Sequence, residues 1–413
     1  MVIIKKNLFR NEQEVSVNSS KDDIIFQCID WNCSDFWKKQ DDSDTEDNTY
    51  NGYNKSKRLF EIRAYGITEQ KCSIFVKIVG YRPYLYIKVP DNWSRSHLIR
   101  FKDQLKTKVY TSLKDSVYQC KLIKRKELYG FQNEKKFKFV EIICENIGCF
   151  YSVRNVLEGR WANRDKTIEE YGKCRVRLFK IGNEVFDFSD SIYESNISPL
   201  LRFFHDCDGN PAGWLRIKAK KYEIIMDTET RCQIEVKCKS KHVKSYDKKD
   251  ISPIVIASFD IECSSLDGSF PKPERRYDEI IQIGTTVHKY GEQTCCYKSM
   301  VTLKKCNKIK GVDLVCCDNE RKLLLEWAKV IKHIDPDVIT GYNIWGFDMV
   351  YIYKRCVNGC GGVFGDFEKI FNEIYSRNNK HKVKFLEKKL ASSALGENFL
   401  KYHNCEGIVG IDM

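Results

Sequence analysis

A run of six mostly apolar residues that ends in two acids constrains this chain more than any other feature. Residues 254–259 are Ile-Val-Ile-Ala-Ser-Phe, and Asp260 and Glu262 follow directly. The run predicts a buried strand, and positions i and i+2 of a strand point to the same face. The two carboxylates therefore lie side by side. Like charges this close repel unless a cation or a shared proton lies between them.

A third acid, Asp348, closes the segment 341–348 and is predicted to lie in the first turn of a helix, where the helix dipole favours a carboxylate. Three converging acids suit a pair of Mg²⁺ or Mn²⁺ ions and hydrolysis of a phosphodiester. Asp260 would bridge both ions, Glu262 would hold the ion that activates water, and Asp348 would hold the ion at the leaving oxygen. An Asp-x-Glu pair at a strand end is also common among ordinary surface acids.

Two further side chains of the same segment suit a nucleic-acid end. Asn343 can donate and accept hydrogen bonds beside a scissile bond, and Phe347 can stack on a base. The spacing of Phe347 equally fits a core anchor, so its sequence position alone does not decide between the two roles.

Composition predicts a folded chain with an anionic partner. The 413 residues suggest two or three domains, and a hydrophobic fraction of 42% is enough for packed cores. The net charge of +13 favours nucleic acid, because basic surface attracts phosphate; a Lys-rich surface that only confers solubility is the alternative. No secretory leader and no apolar run of about 18 residues is present, so we expect neither export nor a membrane span.

The 19 cysteines are odd in number and scattered, without Cys-x-x-Cys units. Cys232 with Cys238, or Cys356 with Cys360, could form half of a zinc site, but neither has a second half at matching spacing. Free thiols in a reducing, intracellular compartment are the expectation.

The first 250 residues predict an α+β arrangement with a mostly antiparallel sheet. Strand patterns occur at 23–28, 60–65, 73–79, 84–89 and 137–143, and a short helix follows Gly148. Residues 38–57 are acidic and polar and predict a mobile loop. The basic segment 237–250 predicts a linker or a long hairpin tip.

Residues 251–413 predict an α/β arrangement. Strands are expected at 253–262, 280–287, 294–301 and 337–340. One helix should start at Asn319 with Asp318 as its N-cap, and another near Trp345. The order of three strands, helix, strand and helix is that of a ribonuclease H-like fold.

Several segments resemble family B DNA polymerases, including the delta-type members. Segments 258–263, 268–274 and 280–284 resemble the first exonuclease motif of that family, and 335–343 with Phe347 and Asp348 resemble the second. Segments 193–197, 202–203 and 214–215 resemble the stretch before the exonuclease domain, and 65–68 and 80–86 resemble the amino-terminal domain. The resemblance spans roughly residues 58 to 413.

The resemblance implies an α+β template-side domain over residues 1–250 and a ribonuclease H-like 3′→5′ exonuclease domain over 251–413. It implies that Asp260, Glu262 and Asp348 are ligands of Mg²⁺ or Mn²⁺ in a proofreading site. Asn343 and Phe347 would contact the single-stranded 3′ end of DNA. Phe270 lies in the matching loop without an assigned role.

The sequence also departs from that family. The third exonuclease motif, a Tyr with an Asp four residues later, has no counterpart after Asp348. Tyr402 and Glu406 have the spacing, but they precede a segment, 407–413, that resembles the region ahead of that motif. Asp412 matches a strand-end acid that is not catalytic in the family.

Palm, fingers and thumb are absent, so the exonuclease domain is expected to be truncated before its third motif. The isolated chain should then have little or no nuclease activity, and a downstream polymerase chain or segment would complete it. Two alternatives stay open: an inert DNA-binding or assembly module of a split polymerase, and a different ribonuclease H-like nuclease that acts on RNA or junctions. The nucleus or a viral replication site, such as that of a large DNA virus, is the expected location.

Overall fold

A computed structural model describes residues 1–38, 57–127, 130, 132–159, 178–358, 367–380, 382–392 and 396–413. Most of the acidic segment 38–57 lies outside these residues, as does Cys360, so the predicted mobile loop is not described. Contacts divide the chain into two compact units. Unit 1 comprises Met1–Asn32, Arg63–Lys77 and Asp208–Met413, and unit 2 comprises Cys33–Ile62 and Ile78–Cys207. The predicted domain division after residue 250 stays a prediction.

The described residues form the following strands and helices. The strands of the first half are β1 Val2–Ile4, β2 Val15–Val17, β3 Ile24–Lys38, β4 Lys57–Thr68, β5 Ser73–Val79, β6 Tyr84–Lys88, β7 Val117–Arg125, β8 Phe137–Cys144, β9 Leu178–Ile181, β10 Glu184–Asp187, β11 Ile192–Tyr193, β12 Trp214–Ile217, β13 Tyr222–Ile224, β14 Ile234–Lys239 and β15 Val243–Ser245. Those of the second half are β16 Val255–Cys263, β17 Ile280–Lys289, β18 Tyr297–Leu303, β19 Asp313–Cys317, β20 Val338–Gly341, β21 Phe385–Ser392, β22 Gly396–His403 and β23 Val409–Asp412. The helices are α1 Arg95–Lys108, α2 Ile147–Glu158, α3 Pro199–Asp206, α4 Glu320–Ile334, α5 Asp348–Asn358 and α6 Phe367–Tyr375.

Unit 2 contains a four-stranded antiparallel sheet in the order β11-β6-β8-β7. Helix α2 is the helix predicted after Gly148, and it begins at Ile147 because Asn146 caps it by accepting from the Cys149 amide at 2.8 Å. Its buried residues share a core with the sheet and α1. The antiparallel α+β pattern expected here is therefore present.

A seven-stranded sheet, most of whose residues belong to unit 1, has the order β13-β14-β5-β4-β3-β12-β15. The basic segment 237–250 was predicted to be a linker or hairpin tip, but it supplies the end of β14, a 3₁₀ turn over Ser240–His242 and all of β15. The alternation of exposed lysines with buried Cys238 and Val243 is what fits this segment to strands.

A second sheet of unit 1 has the order β19-β18-β17-β16-β20-β23. β16, β17 and β18 are antiparallel neighbours, whereas β20 runs parallel to both β16 and β23. Strand β19, parallel to β18, was not predicted. Its sequence, Asp-Leu-Val-Cys-Cys, is short and lies at the sheet edge, so it carries little of the alternation that marks a longer strand.

Helix α4 covers this second sheet. Its apolar side chains at helical spacing are buried, and Trp327 packs on Phe259 of β16 with ring centroids 4.9 Å apart. Asn319 is the N-cap and accepts from the Lys322 amide at 2.9 Å. The prediction that Asp318 caps the helix is wrong; its carboxylate instead pairs with Lys322 Nζ at 2.8 Å in solvent. No helix among the described residues is long and apolar enough to span a membrane.

A buried ionic cluster fixes the start of β20. Asp337 is fully buried, and its carboxylate accepts from Arg10 at 2.9 Å, from Arg377 at 2.8 Å and from the Val255 amide at 2.8 Å. Burial raises the pKa of Asp337, but the two guanidinium groups outweigh it and leave the pKa below its ordinary value. Because Val255 opens β16, this cluster sets the two strands side by side.

Candidate active site

Strand β16 presents Asp260 and Glu262 on one face. Both side chains are exposed, whereas Phe259 and Ile261 between them are 3% and 4% exposed and belong to the core under α4. Asp260 lies opposite Gly284 of β17, so no side chain of that residue competes for the space beside the carboxylate. The alternation predicted for this strand is the one observed.

Asp348 reaches this strand from the first turn of α5. It is 2% exposed, and its Oδ1 accepts a hydrogen bond from the Ile261 amide at 3.1 Å. The pKa of Asp348 is raised to about 6, chiefly by burial, with further contributions from the charge of Asp260 and a hydrogen bond between the two carboxyls. The structure therefore brings Asp260 and Asp348 together across 88 residues of sequence.

Glu262 shares the exposed face but does not complete a ligand set. Among the residues that the structure describes, no three His, Cys, Asp or Glu side chains lie close enough together to hold a metal ion. Asp260 and Asp348 suit a divalent cation, since they are two oxygen donors whose mutual repulsion it would relieve. Asp260 and Asp348 therefore supply two donors for a cation, and the described residues bring no third ligand close to them.

The loop from β20 to α5 depends on two close backbone approaches. A side chain at Gly341 would come within 2.5 Å of the Phe259 carbonyl, and one at Gly346 within 2.1 Å of Asn343 Oδ1. Asn343 has a φ of 54° and lies exposed at the turn. Its side chain is thus presented to solvent at the entrance of α5, which is compatible with the predicted contact to a DNA end.

Asp412, at the end of β23, stabilises the same loop. Its carboxylate accepts from the Ile344 amide at 2.8 Å and from the Trp345 amide at 3.4 Å. Asp412 therefore positions the turn that leads to Asp348, and the non-catalytic role that the resemblance implies for it stays a prediction.

Two aromatic rings border the acids. Phe347 is half-buried and packs on the core, as the alternative interpretation of its spacing required, but one edge meets Phe270 with centroids 5.3 Å apart. Phe270 is 71% exposed. Tyr351 lies 5.3 Å from Phe347 on its other side, and its hydroxyl donates to the Asp278 carbonyl at 2.8 Å. The pair Phe270 and Phe347 offers an aromatic edge next to Asp348.

Arg355 secures the loop that carries Phe270. It is 2% exposed and donates to the carbonyls of Pro273 at 3.1 Å and Arg275 at 2.8 Å. Its Nε also donates to Glu320 of α4 at 2.8 Å. Sequence analysis missed this residue, although its spacing of seven from Asp348 places both on one face of α5 and could have suggested it.

Tyr402 and Glu406, the pair with the spacing of the third motif, do not form a site. Tyr402 lies in β22 opposite Leu386, whereas Glu406 is fully buried. Glu406 accepts from Arg63 Nε at 2.6 Å and from the Tyr65 hydroxyl at 2.9 Å. The Glu406 carboxylate is therefore bound to buried partners in unit 1, which supports treating the spacing of Tyr402 and Glu406 as a coincidence.

Comparison with known proteins identifies the family. The family model described as "DNA polymerase family B, exonuclease domain" matches residues 190–413. A DNA polymerase of Pyramimonas orientalis virus is 27% identical over 97% of this chain and 41% of its own length. The DNA polymerase delta catalytic subunit of Schizosaccharomyces pombe is 32% identical over 82% of this chain and 28% of its own length.

A solved family B DNA polymerase from Pyrobaculum calidifontis aligns at 16% identity with a TM-score of 0.47, over 81% of this chain and 32% of that one. The chain thus spans less than half the length of these relatives. The predicted fold class, an α+β amino-terminal region followed by a ribonuclease H-like exonuclease domain, is confirmed, as is the family expected from the motifs. This chain belongs to DNA polymerase family B and contains the exonuclease domain of that family.

Proposed function

We propose that this chain carries the proofreading part of a family B DNA polymerase, a metal-dependent 3′→5′ exonuclease site. One observation carries the proposal: Asp348 rests on the Ile261 amide in contact with Asp260, and its pKa is raised to about 6. Two carboxylates held together at a strand end are unfavourable without a cation, so their retention on rigid elements favours metal binding.

Asp260, Glu262 and Asp348 are the residues that would hold Mg²⁺ or Mn²⁺. The ions would supply an acidified water and would neutralise the leaving 3′ oxygen of the DNA. The Ile261 amide orients the Asp348 carboxylate, and β16 holds Asp260 and Glu262 on a common face. Asn343 would contact the terminal nucleotide, and Phe347 with Phe270 would grip its base by stacking.

The test is removal of 3′ nucleotides from a labelled primer in Mg²⁺ or Mn²⁺, by this chain alone and together with the polypeptide that carries the rest of a family B polymerase. Because no three ligands converge among the described residues, we expect little activity alone and metal-dependent digestion in the completed assembly. Asp260→Ala should abolish that digestion. Unchanged digestion by the Asp260→Ala assembly would show that the acids are misassigned.

Thermal unfolding in Mn²⁺ tests metal binding without an activity assay. The free chain should gain stability as Mn²⁺ is added, since a ligand of the folded state raises its stability. Asp260→Ala should lose this gain. The matched variant Asp318→Ala, which removes an exposed carboxylate at the start of α4, should keep it. A gain that survives Asp260→Ala would place the cation elsewhere.

A second candidate function is a DNA-binding module without chemistry of its own. The incomplete donor set and the net charge of +13 favour it. DNA affinity that is unaffected by Asp348→Ala, with no digestion in any assembly, would support this alternative over the exonuclease.

This chain spans less than half the length of the relatives described above. We propose that DNA synthesis belongs to a downstream polymerase chain or segment, and that this chain contacts the template and the 3′ end of the primer. A nuclear or viral replication site follows from that function.

A further inference from the structure

One end of the seven-stranded sheet of unit 1 carries a dense group of cations outside the proposed nuclease site. They come from β12, the turn to β13, the end of β14, the following 3₁₀ turn and β15. We name this group the lysine corner, and its members are Arg216, Lys218, Lys220, Lys221, Lys239, Lys241 and Lys244. All six lysines are exposed, and Arg216 is half-buried.

Strand pairing places like charges opposite each other within the lysine corner. Arg216 of β12 is the register partner of Lys244 in β15. Tyr222 pairs with Cys238 at the end of β13 and β14, and Lys221 and Lys239 are the residues next to this pair. Like charges directly across two strands destabilise a sheet. Such a pair, with further lysines beside it at the same end of the sheet, indicates a surface whose charge serves something other than stability.

Little negative charge offsets these cations. Among the described residues, none of the seven cations forms an ion pair, and the nearby Lys248 pairs instead with Glu69 at 2.7 Å. Two acids lie beside these segments: Asp23, just before β3, accepts from the Ala219 amide at 2.8 Å, and Glu223 of β13 is the register partner of Lys237. The uncompensated field also reaches His242, whose pKa is lowered by burial and then by Lys241, Lys221 and Lys239.

We propose that the lysine corner binds the phosphate backbone of DNA. A surface of flexible ammonium groups with few acids attracts closely spaced phosphates through release of their counterions. The segments 218–221 and 239–244 expose no large apolar side chain, because Val243 is buried, so they lack the group that a membrane-binding surface inserts into lipid. The choice of DNA among polyanions rests on the proposed function, whereas the surface itself does not depend on the acids of the nuclease site.

The test compares two triple variants of this chain by fluorescence anisotropy with a labelled 20-base-pair DNA duplex over a series of salt concentrations. The first, Lys221→Gln/Lys239→Gln/Lys241→Gln, removes three charges from the lysine corner. The control, Lys322→Gln/Lys329→Gln/Lys332→Gln, removes three lysines from α4 that are paired with acids. Both sets are exposed, so unchanged thermal unfolding checks that each variant folds.

We expect the lysine-corner variant to bind roughly tenfold or more weakly at low salt, with the slope of log affinity against log salt reduced by about 2–3, since each lost phosphate contact contributes about 0.9. The control should keep the parental slope. Equal losses in both variants, or no DNA binding by the parent at low salt, would overturn the proposal.

Tighter binding to phosphatidylserine vesicles than to DNA, lost in the same variant, would also overturn it in favour of a membrane surface. If the nuclease assignment were wrong, the experimental result would differ. In that case Asp260→Ala would not affect digestion, yet the difference in salt slope between the two lysine variants would persist.

Discussion

The Oδ1 atom of Asp348 accepts a hydrogen bond from the backbone amide of Ile261, the residue between Asp260 and Glu262, at 3.1 Å. One bond thus joins the first turn of α5 to the strand that carries the other two acids. The Ile261 amide fixes the position of the Asp348 carboxylate, and burial together with the neighbouring Asp260 raises its pKa. The local chemistry of the site therefore follows from backbone geometry as well as from the acids themselves.

Replacing Asp348 by Asn should stabilise the metal-free chain. The variant keeps an acceptor for the Ile261 amide and removes a charge that burial and Asp260 disfavour. The pKa of Asp348 in the folded chain is about 6, above the value of about 3.9 for Asp in an unfolded chain. The stability of the parent therefore falls as the pH rises between these two values, and it is constant at higher pH. We expect Asp348→Asn to be about 1–2 kcal/mol more stable than the parent at pH 8.

Urea unfolding in EDTA at pH 4 and pH 8 measures this difference, which should nearly vanish at pH 4. Asp318→Asn, at an exposed carboxylate, serves as the control and should show no gain at either pH. Equal stability of Asp348→Asn and the parent at pH 8 would mean that neither burial nor Asp260 disfavours the charged form of Asp348.

Phe270→Ala should weaken the grip on single-stranded DNA with little effect on the fold. The ring is 71% exposed, so its loss removes little buried area, but stacking on a base contributes about 1–3 kcal/mol. We expect the affinity for a short single-stranded oligonucleotide to fall about 5- to 100-fold. Tyr290→Ala is the matched control, because this 49% exposed ring follows the opposite end of β17. An equal loss in both variants would exclude Phe270 as a specific contact.

Arg355→Lys should release the loop that carries Phe270. Lysine keeps the charge but cannot donate simultaneously to Glu320 and to the carbonyls of Pro273 and Arg275. We expect limited trypsin digestion after Arg275 to become several-fold faster, since cleavage needs a locally opened backbone.

Arg321→Lys, a conservative change at an exposed position of α4, should leave this cleavage rate unchanged. In the completed assembly, Arg355→Lys should raise KM more than it lowers kcat, because the loop that carries Phe270 positions the DNA strand and does not touch the three acids. Parental cleavage of the loop in Arg355→Lys would contradict the role assigned to Arg355.

Asp337→Asn should be among the most damaging single changes in unit 1. The variant keeps an acceptor for the Val255 amide but leaves Arg10 and Arg377 without their shared buried carboxylate. Breaking a buried ion pair from one side costs about 3–5 kcal/mol. Chemical unfolding measures this loss, and Asp247→Asn at an exposed position should change stability by less than about 0.5 kcal/mol. A similarly small loss in Asp337→Asn would show that the cations find other partners.

Local sequence predicted the elements that carry long, regular patterns. The apolar run before Asp260 and the helical spacing around Trp327 gave β16 and α4 within two residues of their observed bounds. The convergence of Asp260 and Asp348 was also foreseeable, because Asp260 lies near the carboxyl end of β16 and Asp348 follows that of the neighbouring parallel strand β20.

Other features have no local signature. Asp318 and Asn319 are equally good caps by residue type, and only backbone geometry selects Asn319. Glu406 has the spacing of the third exonuclease motif relative to Tyr402. Its carboxylate, however, accepts hydrogen bonds in the core from Arg63 and Tyr65, which are more than 340 positions away. Such assignments depend on contacts between segments far apart in the chain, which periodicity does not encode.

The pairing of Arg10 with Asp337 bears on how the protein folds as it is made. The two residues are 327 positions apart. At about 5–20 residues per second, roughly 15 to 65 s of synthesis separate them on the ribosome. Throughout that time the guanidinium of Arg10 remains solvated, and the alignment of β16 with β20 lacks one of its two cations. The segment around Arg10 therefore reaches its final contacts only after Asp337 has been synthesised, so a residue translated much earlier completes the sheet that carries the three acids.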